Sequence, residues 1–233
     1  MQPLDRPADA SVAGIVGANV LTMLVAVWQD WGLLNLLWPF WTQSVVIGWY
    51  ARRRMLLLQQ FSTKDLKLNN QPVEPTPDTQ RRVASFFALH YGIFHLGYLA
   101  FLLQATWGSE PDGTLAVQQE GSGETAQFLV GQVTSLDGLI IAGLALAFWR
   151  SHRASHREHV EADLARVPNI GTLMFMPYAR VLPMHLTIIL GASTGAGAVW
   201  LFALLKTAAD VAMHKFEHHV LQSAPAGQPG AAG

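Results

Sequence analysis

The chain of 233 residues is 51% hydrophobic and 13% charged, about half the roughly 25% charge of a soluble domain, and it holds eight Trp and eleven Phe. Fifteen basic and sixteen acidic residues leave a formal net charge of −1, so no basic footprint for nucleic acid is present. The absence of cysteine excludes disulfides, thiolate nucleophiles and Cys metal ligands, leaving His and carboxylate to hold any metal.

In chain order, MQPLDRPADAS lacks a basic region and a small-residue cleavage site, so no removable signal peptide is expected. A membrane span needs about 20 mostly apolar residues. Hydropathy predicts six, at about 11–28, 31–50, 83–107, 126–149, 175–192 and 199–219. Pro39 is expected to kink the second span, Gln43 is its one strongly polar interior residue, and Arg52–Arg54 stops it at an interface. Residues 55–80 read as a mobile loop or interfacial turn, with Leu56–Phe61 able to continue the second helix briefly, and 108–126 as an exposed loop. The fourth span places Asp137 near its middle, and the His-rich segment 150–166 reads as a helical extension into water. The tail 222–233 is low-complexity and is expected to be disordered. Seven Lys and Arg fall in 51–82 and five in 150–180, against none in 29–30, 108–126 and 193–198. The positive-inside rule then places both termini in the cytoplasm. The expected fold is all-α: one domain, 1–221, forming an integral membrane bundle of six transmembrane helices in the inner (cytoplasmic) membrane.

The last span, LFALLKTAADVAMHKFEHH, carries Lys206, Asp210, His214 and His218 at intervals of four, which stacks them along one helix face. Ionisable residues at membrane depth are costly and face partners or a cavity. Gln43, His90, His185, Asp210 and His214 all fall very roughly 8–15 Å below the inner interface. His90, His185, Asp210 and His214 therefore form a candidate three-His, one-carboxylate metal set suited to zinc or iron, with copper or manganese as further options. Gln43 or Asp137 would support it from behind, and Asp137 is a candidate catalytic base. His95, about 140° around the helix from His90, is expected to pair with Asp137 or a tyrosine, and Lys206 to form an ion pair with Asp210 or to snorkel outward.

Other patterns carry other readings. His152, His156 and His159, with His214, His218 and His219, resemble in spacing the histidine boxes of membrane di-iron enzymes. The eight ordered histidines and long hairpins of those enzymes are missing, and a solvated positive flank looks the same. Gly191–Gly195 matches GxSxG but lacks the strand-to-helix context that chemistry requires. His90 with His185 or His214 would also suit axial ligation of haem b.

The segments WPFWTQSVVIGWYARRRM, FFALHYGIFHLGYLAFL, PYARVLPMHLTIILG and LLKTAADVAMHKFEHH resemble a bacterial membrane-protein family catalogued only as a domain of unknown function, over roughly residues 15–220. The resemblance implies a polytopic architecture and marks His90 and Lys206–His214 as its most specific positions. It implies no activity. An acidic residue is common in that family at the place of Gln43, so this chain lacks a charge there.

Three functional classes remain open on these grounds. The leading one is a buried metal site, serving as a hydrolase or oxidoreductase on a lipid-soluble substrate. A proton- or ion-coupled transporter using the His/Asp stripe is the second. The third is a haem-binding or structural subunit of a larger membrane complex. Membrane lipid is the expected surrounding partner, with a homo-oligomer compatible with all three.

Overall fold

The structure, a computed structural model, describes residues 20, 23–24, 26–29, 31–68, 70–118, 125–194 and 197–223. It is mostly helical, with six helices. Helix α1 is described at 20, 23–24 and 26–28. The others are α2 (Leu33–Leu57), α3 (Pro77–Gly108), α4 (Ser135–Leu164), α5 (Ile170–Thr194) and α6 (Ala198–Ser223). Two antiparallel hairpins accompany them: β1 (Lys67–Leu68) with β2 (Gln71–Pro72), and β3 (Thr114–Gln118) with β4 (Thr125–Leu129). The helices α3 and α5 (over Ile170–Leu190) are long and apolar enough to cross a membrane. The start of the first expected span, 11–19, and the tail beyond Ser223 lie outside the described residues.

Local chemistry explains where the helices begin. Thr76 caps α3, its hydroxyl accepting from the Thr79 N–H at 3.2 Å. Pro77 then occupies the first helical position, where a missing N–H is harmless. Asn169 caps α5, accepting from the Thr172 N–H at 3.1 Å while its amide donates to Lys64 O at 2.9 Å. Thr134 and Asp137 cap α4 reciprocally. The Asp137 carboxylate accepts from the Thr134 N–H (2.8 Å) and hydroxyl (2.6 Å), and the Asp137 N–H donates back to the hydroxyl at 3.2 Å.

Contacts divide the chain into two compact units. The first comprises Met1–Phe40, Ala100–Ile141 and Ala179–His218. Leu34, Leu36 and Leu37 of α2, Leu102 of α3 and Phe202 of α6 are among its fully buried side chains. The Trp38 indole donates to the Thr106 hydroxyl at 2.9 Å. In the second unit, comprising Trp41–Leu99, Ala142–Tyr178 and His219–Gly233, Met55, Ala84, Phe87 and Ile170 are buried almost completely. The Gln80 amide, one turn into α3, donates to the carbonyls of Met55 and Leu58 at 2.8 and 2.9 Å. It thereby satisfies acceptors that the end of α2 leaves without a helical partner.

The fourth expected span requires correction. Its first residues are β4 and the turn that follows, and the helix begins only at Ser135, so Asp137 lies in the first turn and not near mid-span. The segment 108–126, expected as a loop, contains β3, paired with β4 from Thr114↔Leu129 to Gln118↔Thr125. Averaging hydropathy over 126–149 fuses the apolar end of a strand with the apolar start of a helix. The β3–β4 pairing and the Thr134–Asp137 cap separate the two. Residues 55–80, expected as a mobile loop or interfacial turn, hold the end of α2, β1, β2 and the first turn of α3. The helix α2 also runs on through Arg52–Arg54 to Leu57.

The β3–β4 hairpin is docked in the first unit by close backbone approach. Val130 O accepts from the Leu34 N–H at 2.9 Å, and the N–H groups of Val130 and Gly131 both donate to Gly113 O, at 2.9 and 3.0 Å. A Cβ on Gly32 would sit 2.5 Å from the Gly131 Cα and 2.9 Å from Val130 O, both backbone atoms, and Gly131 itself has φ +76°. Gly32→Ala is therefore expected to destabilise the protein by about 1–3 kcal/mol, read as a lower melting temperature in detergent. Gly97→Ala, where a Cβ meets nothing within 4 Å, is expected to cause no loss.

Candidate functional site

In the first unit, α6 brings Lys206 and Asp210 together across one helical turn. The ammonium and carboxylate form a direct ion pair, with side-chain exposures of 16% and 20%. The Lys206 Nζ lies 4.6 Å from the ring centroid of Phe40, and Phe40 meets Phe202 edge-on at 4.8 Å. The cation is thus held by a carboxylate and by an aromatic face, and both charges are largely withdrawn from solvent. The expected Lys206–Asp210 pair is present. Its consequence for the expected metal set is direct: the Asp210 carboxylate already has a cation, and would have to leave it to ligate a metal.

His185 of α5 is half-buried in the same unit. Its neighbour Thr187 is fully buried and donates back to Pro183 O at 2.8 Å. His214 lies on α6 one turn beyond Asp210, but its side chain, like those of His159, His218 and His219, lies outside the described residues. Among the described residues, no group of three or more His, Asp or Glu is placed to hold a metal ion.

Asp137, the candidate base, lines a cavity of about 600 Å³ in the first unit, with Asp112, Gln132, Asn35, Trp31 and Trp200. Its carboxylate is committed to the α4 cap. The Asp112 carboxylate is likewise held by the Thr114 hydroxyl and N–H at 2.6 and 2.9 Å, which keep its pKa below the usual carboxylate value. Asn35 is 3% exposed, and its Oδ1 has no hydrogen-bond partner among the described residues.

In the second unit, His90 does not stand alone. Its Nδ1 is 2.8 Å from the Tyr178 hydroxyl of α5, its ring stacks on Phe86 at 5.4 Å, and Phe94 meets it edge-on at 5.1 Å. His95, expected to pair with a tyrosine or Asp137, is buried and stacks on Tyr91 at 4.2 Å. Its Nδ1 is 2.9 Å from the Tyr91 carbonyl, and the Trp41 indole donates to the His95 carbonyl at 3.0 Å. Tyr91 donates to Ser44 O at 3.0 Å, and Gly48 leaves room for its ring, since a Cβ there would fall 2.4 Å from Tyr91 Cε1. Of the further histidines, His152 Nδ1 lies 3.0 Å from Phe148 O and His156 packs on Tyr50 at 4.9 Å.

The ion pair that sequence reading missed lies in this unit. Arg54 clasps Asp163 through two bonds, Nε to Oδ2 and Nη2 to Oδ1 at 2.9 Å, with side-chain exposures of 13% and 2%. Arg54 reads as one of three arginines in a positive flank, and Asp163 as one of several acidic residues in a water-exposed helix. The available signal is that Asp163 repeats at helical spacing after Val160, on the less exposed side of α4.

These features define a mostly helical protein which, among the described residues, has two helices long and apolar enough to cross a membrane and has ion-paired charges on its helices. The chain belongs to the family of unknown function DUF6498, whose model matches residues 1–227. No curated protein and no solved structure matches it.

Removing one partner of the Arg54–Asp163 clasp strands a buried charge. Asp163→Ala is expected to cost about 3–5 kcal/mol, and the double variant Arg54→Met/Asp163→Leu to recover much of that loss. Thermal melting of the purified variants, read as a double-mutant cycle, checks both.

Proposed function

We propose that the protein is a multi-pass membrane protein of six spans with cytoplasmic termini, in which the Lys206–Asp210 pair is the charged centre of a proton- or ion-coupled carrier. Three features support the membrane reading. Only 28% of the most apolar window of α3 is buried. Phe86, Leu89, Ile93 and Leu96 turn outward along it, while Ala84, Phe87, Tyr91, His95, Tyr98 and Leu102 form its buried stripe. Contiguous exposed apolar surface of this kind suits lipid better than water. The distribution of Lys and Arg supports the cytoplasmic placement of the termini.

The single observation that carries the carrier reading is the ion pair itself. A lysine and a carboxylate one turn apart on an apolar helix are neutral together and charged apart. Protonating Asp210 or admitting a cation releases Lys206, so uptake of one charge alters the electrostatics of α6 by a full unit. This is the coupling element that a carrier requires. The metal reading, with His90, His185, Asp210 and His214 around zinc or iron, competes for the same carboxylate and requires Lys206 to be displaced.

One pair of measurements separates them. In proteoliposomes with a trapped pH dye and an imposed potential, the wild type is expected to pass protons faster than protein-free vesicles, and Asp210→Asn and Lys206→Met are expected to lose that flux. Mass spectrometry of chelator-free protein is expected to find no stoichiometric transition metal. A metal present at about one per chain and lost in His214→Ala would replace the carrier with the metal site.

A further inference from the structure

In the second unit, α2 and α4 present a cleft of about 480 Å³ that none of the chemistry above uses. Its walls come from one face of each helix. Trp49, Tyr50, Arg53 and Leu57 recur at helical spacing on α2, and Trp149, Arg153, His156 and Val160 do so on α4, with Arg157 and Glu161 alongside. Arg53, Arg153 and Arg157 are exposed, so three guanidinium groups face one carboxylate, Glu161. Arg153 stacks over the Trp149 ring at 5.7 Å, and His156 packs on Tyr50, so the aromatic rings order the basic side chains. Next to Arg53, the Arg54–Asp163 clasp ties α2 to α4 at a fixed register. The cleft is therefore built in, not a chance approach of two flexible arginines.

The chemistry selects a phosphate-bearing anion, because guanidinium forks bind phosphate oxygens bidentately. The aromatic content selects its source. Trp49 and Trp149 are 63% and 42% exposed, each at the point where its helix passes from apolar to basic sequence, the level at which tryptophan sits among lipid head groups. Resting on the membrane reading above, we infer that this cleft binds the head group of an anionic phospholipid. The excess of two positive charges over Glu161 matches a lipid with two phosphodiester groups, such as cardiolipin. Juxtamembrane basic residues attract such lipids strongly. The lipid would bind at the ends of α2 and α4, where it can stabilise their spacing.

Native mass spectrometry of the full chain, released from detergent after titration with cardiolipin, phosphatidylglycerol or phosphatidylcholine, tests this. The expected result is retention of cardiolipin on the order of tenfold above phosphatidylcholine. That preference is expected to vanish in Arg53→Gln/Arg153→Gln/Arg157→Gln and to survive in Arg81→Gln/Arg82→Gln, which removes two exposed arginines paired with Asp78. Should the triple variant fail to fold, Glu161→Gln is expected to raise cardiolipin retention and Arg153→Gln alone to lower it. Equal retention of charged and zwitterionic lipid, or unchanged retention in Glu161→Gln and Arg153→Gln, overturns the inference. Inorganic phosphate displacing cardiolipin at equal concentration overturns the lipid assignment, leaving a site for soluble phosphate. A chain released from membranes by alkaline carbonate sinks the membrane reading itself. Stable insertion without anionic preference sinks this inference alone.

Discussion

The clasp between Arg54 and Asp163 determines how α2 and α4 can end. A carboxylate that is 2% exposed is tolerated only because a planar guanidinium meets both of its oxygens, so two bonds fix direction as well as distance. The end of α2 is completed by Gln80, which closes the Met55 and Leu58 carbonyls, and α3 is set running in turn by the Thr76 cap. Polar groups at these helix ends are thus saturated by specific neighbours, and the arginines that remain unclasped on the same helices are left to face outward.

The same requirement governs the first unit, with a different outcome. Lys206 and Asp210 pair across one turn of a single helix, and the Phe40 ring of α2 meets the cation. A clasp between helices resists opening because opening separates two elements. A clasp within one helix opens by rotating side chains, with no second backbone to move. This contrast is why the first pair reads as structural and the second as the element that can change state.

Much of this was legible in the sequence, and the failures have identifiable causes. Helix content followed from long apolar stretches, and the i, i+4 spacing made the Lys206–Asp210 pair readable because both partners lie on one helix. Arg54 and Asp163 are 109 residues apart, so no local pattern could join them, and each carried a sufficient bland explanation in its own neighbourhood. Asp137 was misplaced because hydropathy counts apolar residues without regard to period. FLV from a strand and LIIAGLALAF from a helix sum to one long span. The T-x-x-D pattern at Thr134–Asp137 is the local sign that a helix starts there, and it outweighs the apolar average. Depth matching also gave His90 a shared level with His185 and His214. Depth does not give direction, and within its own unit the His90 ring meets the Tyr178 hydroxyl, Phe86 and Phe94.

Membership of a family without an assigned activity leaves chemistry as the guide to what these residues do. The strongest chemical statement concerns where charge is matched and where it is in excess. Within the second unit, Asp163 consumes one arginine of the Arg52–Arg54 run, and among the described residues that line the cleft one carboxylate, Glu161, stands against three arginines. Within the first unit, Lys206 leaves Asp210 no unmet demand for a cation. A resident metal would be drawn to uncompensated carboxylate, and a resident anion to uncompensated guanidinium. The described residues offer the second, at the arginine- and tryptophan-lined cleft, more plainly than the first.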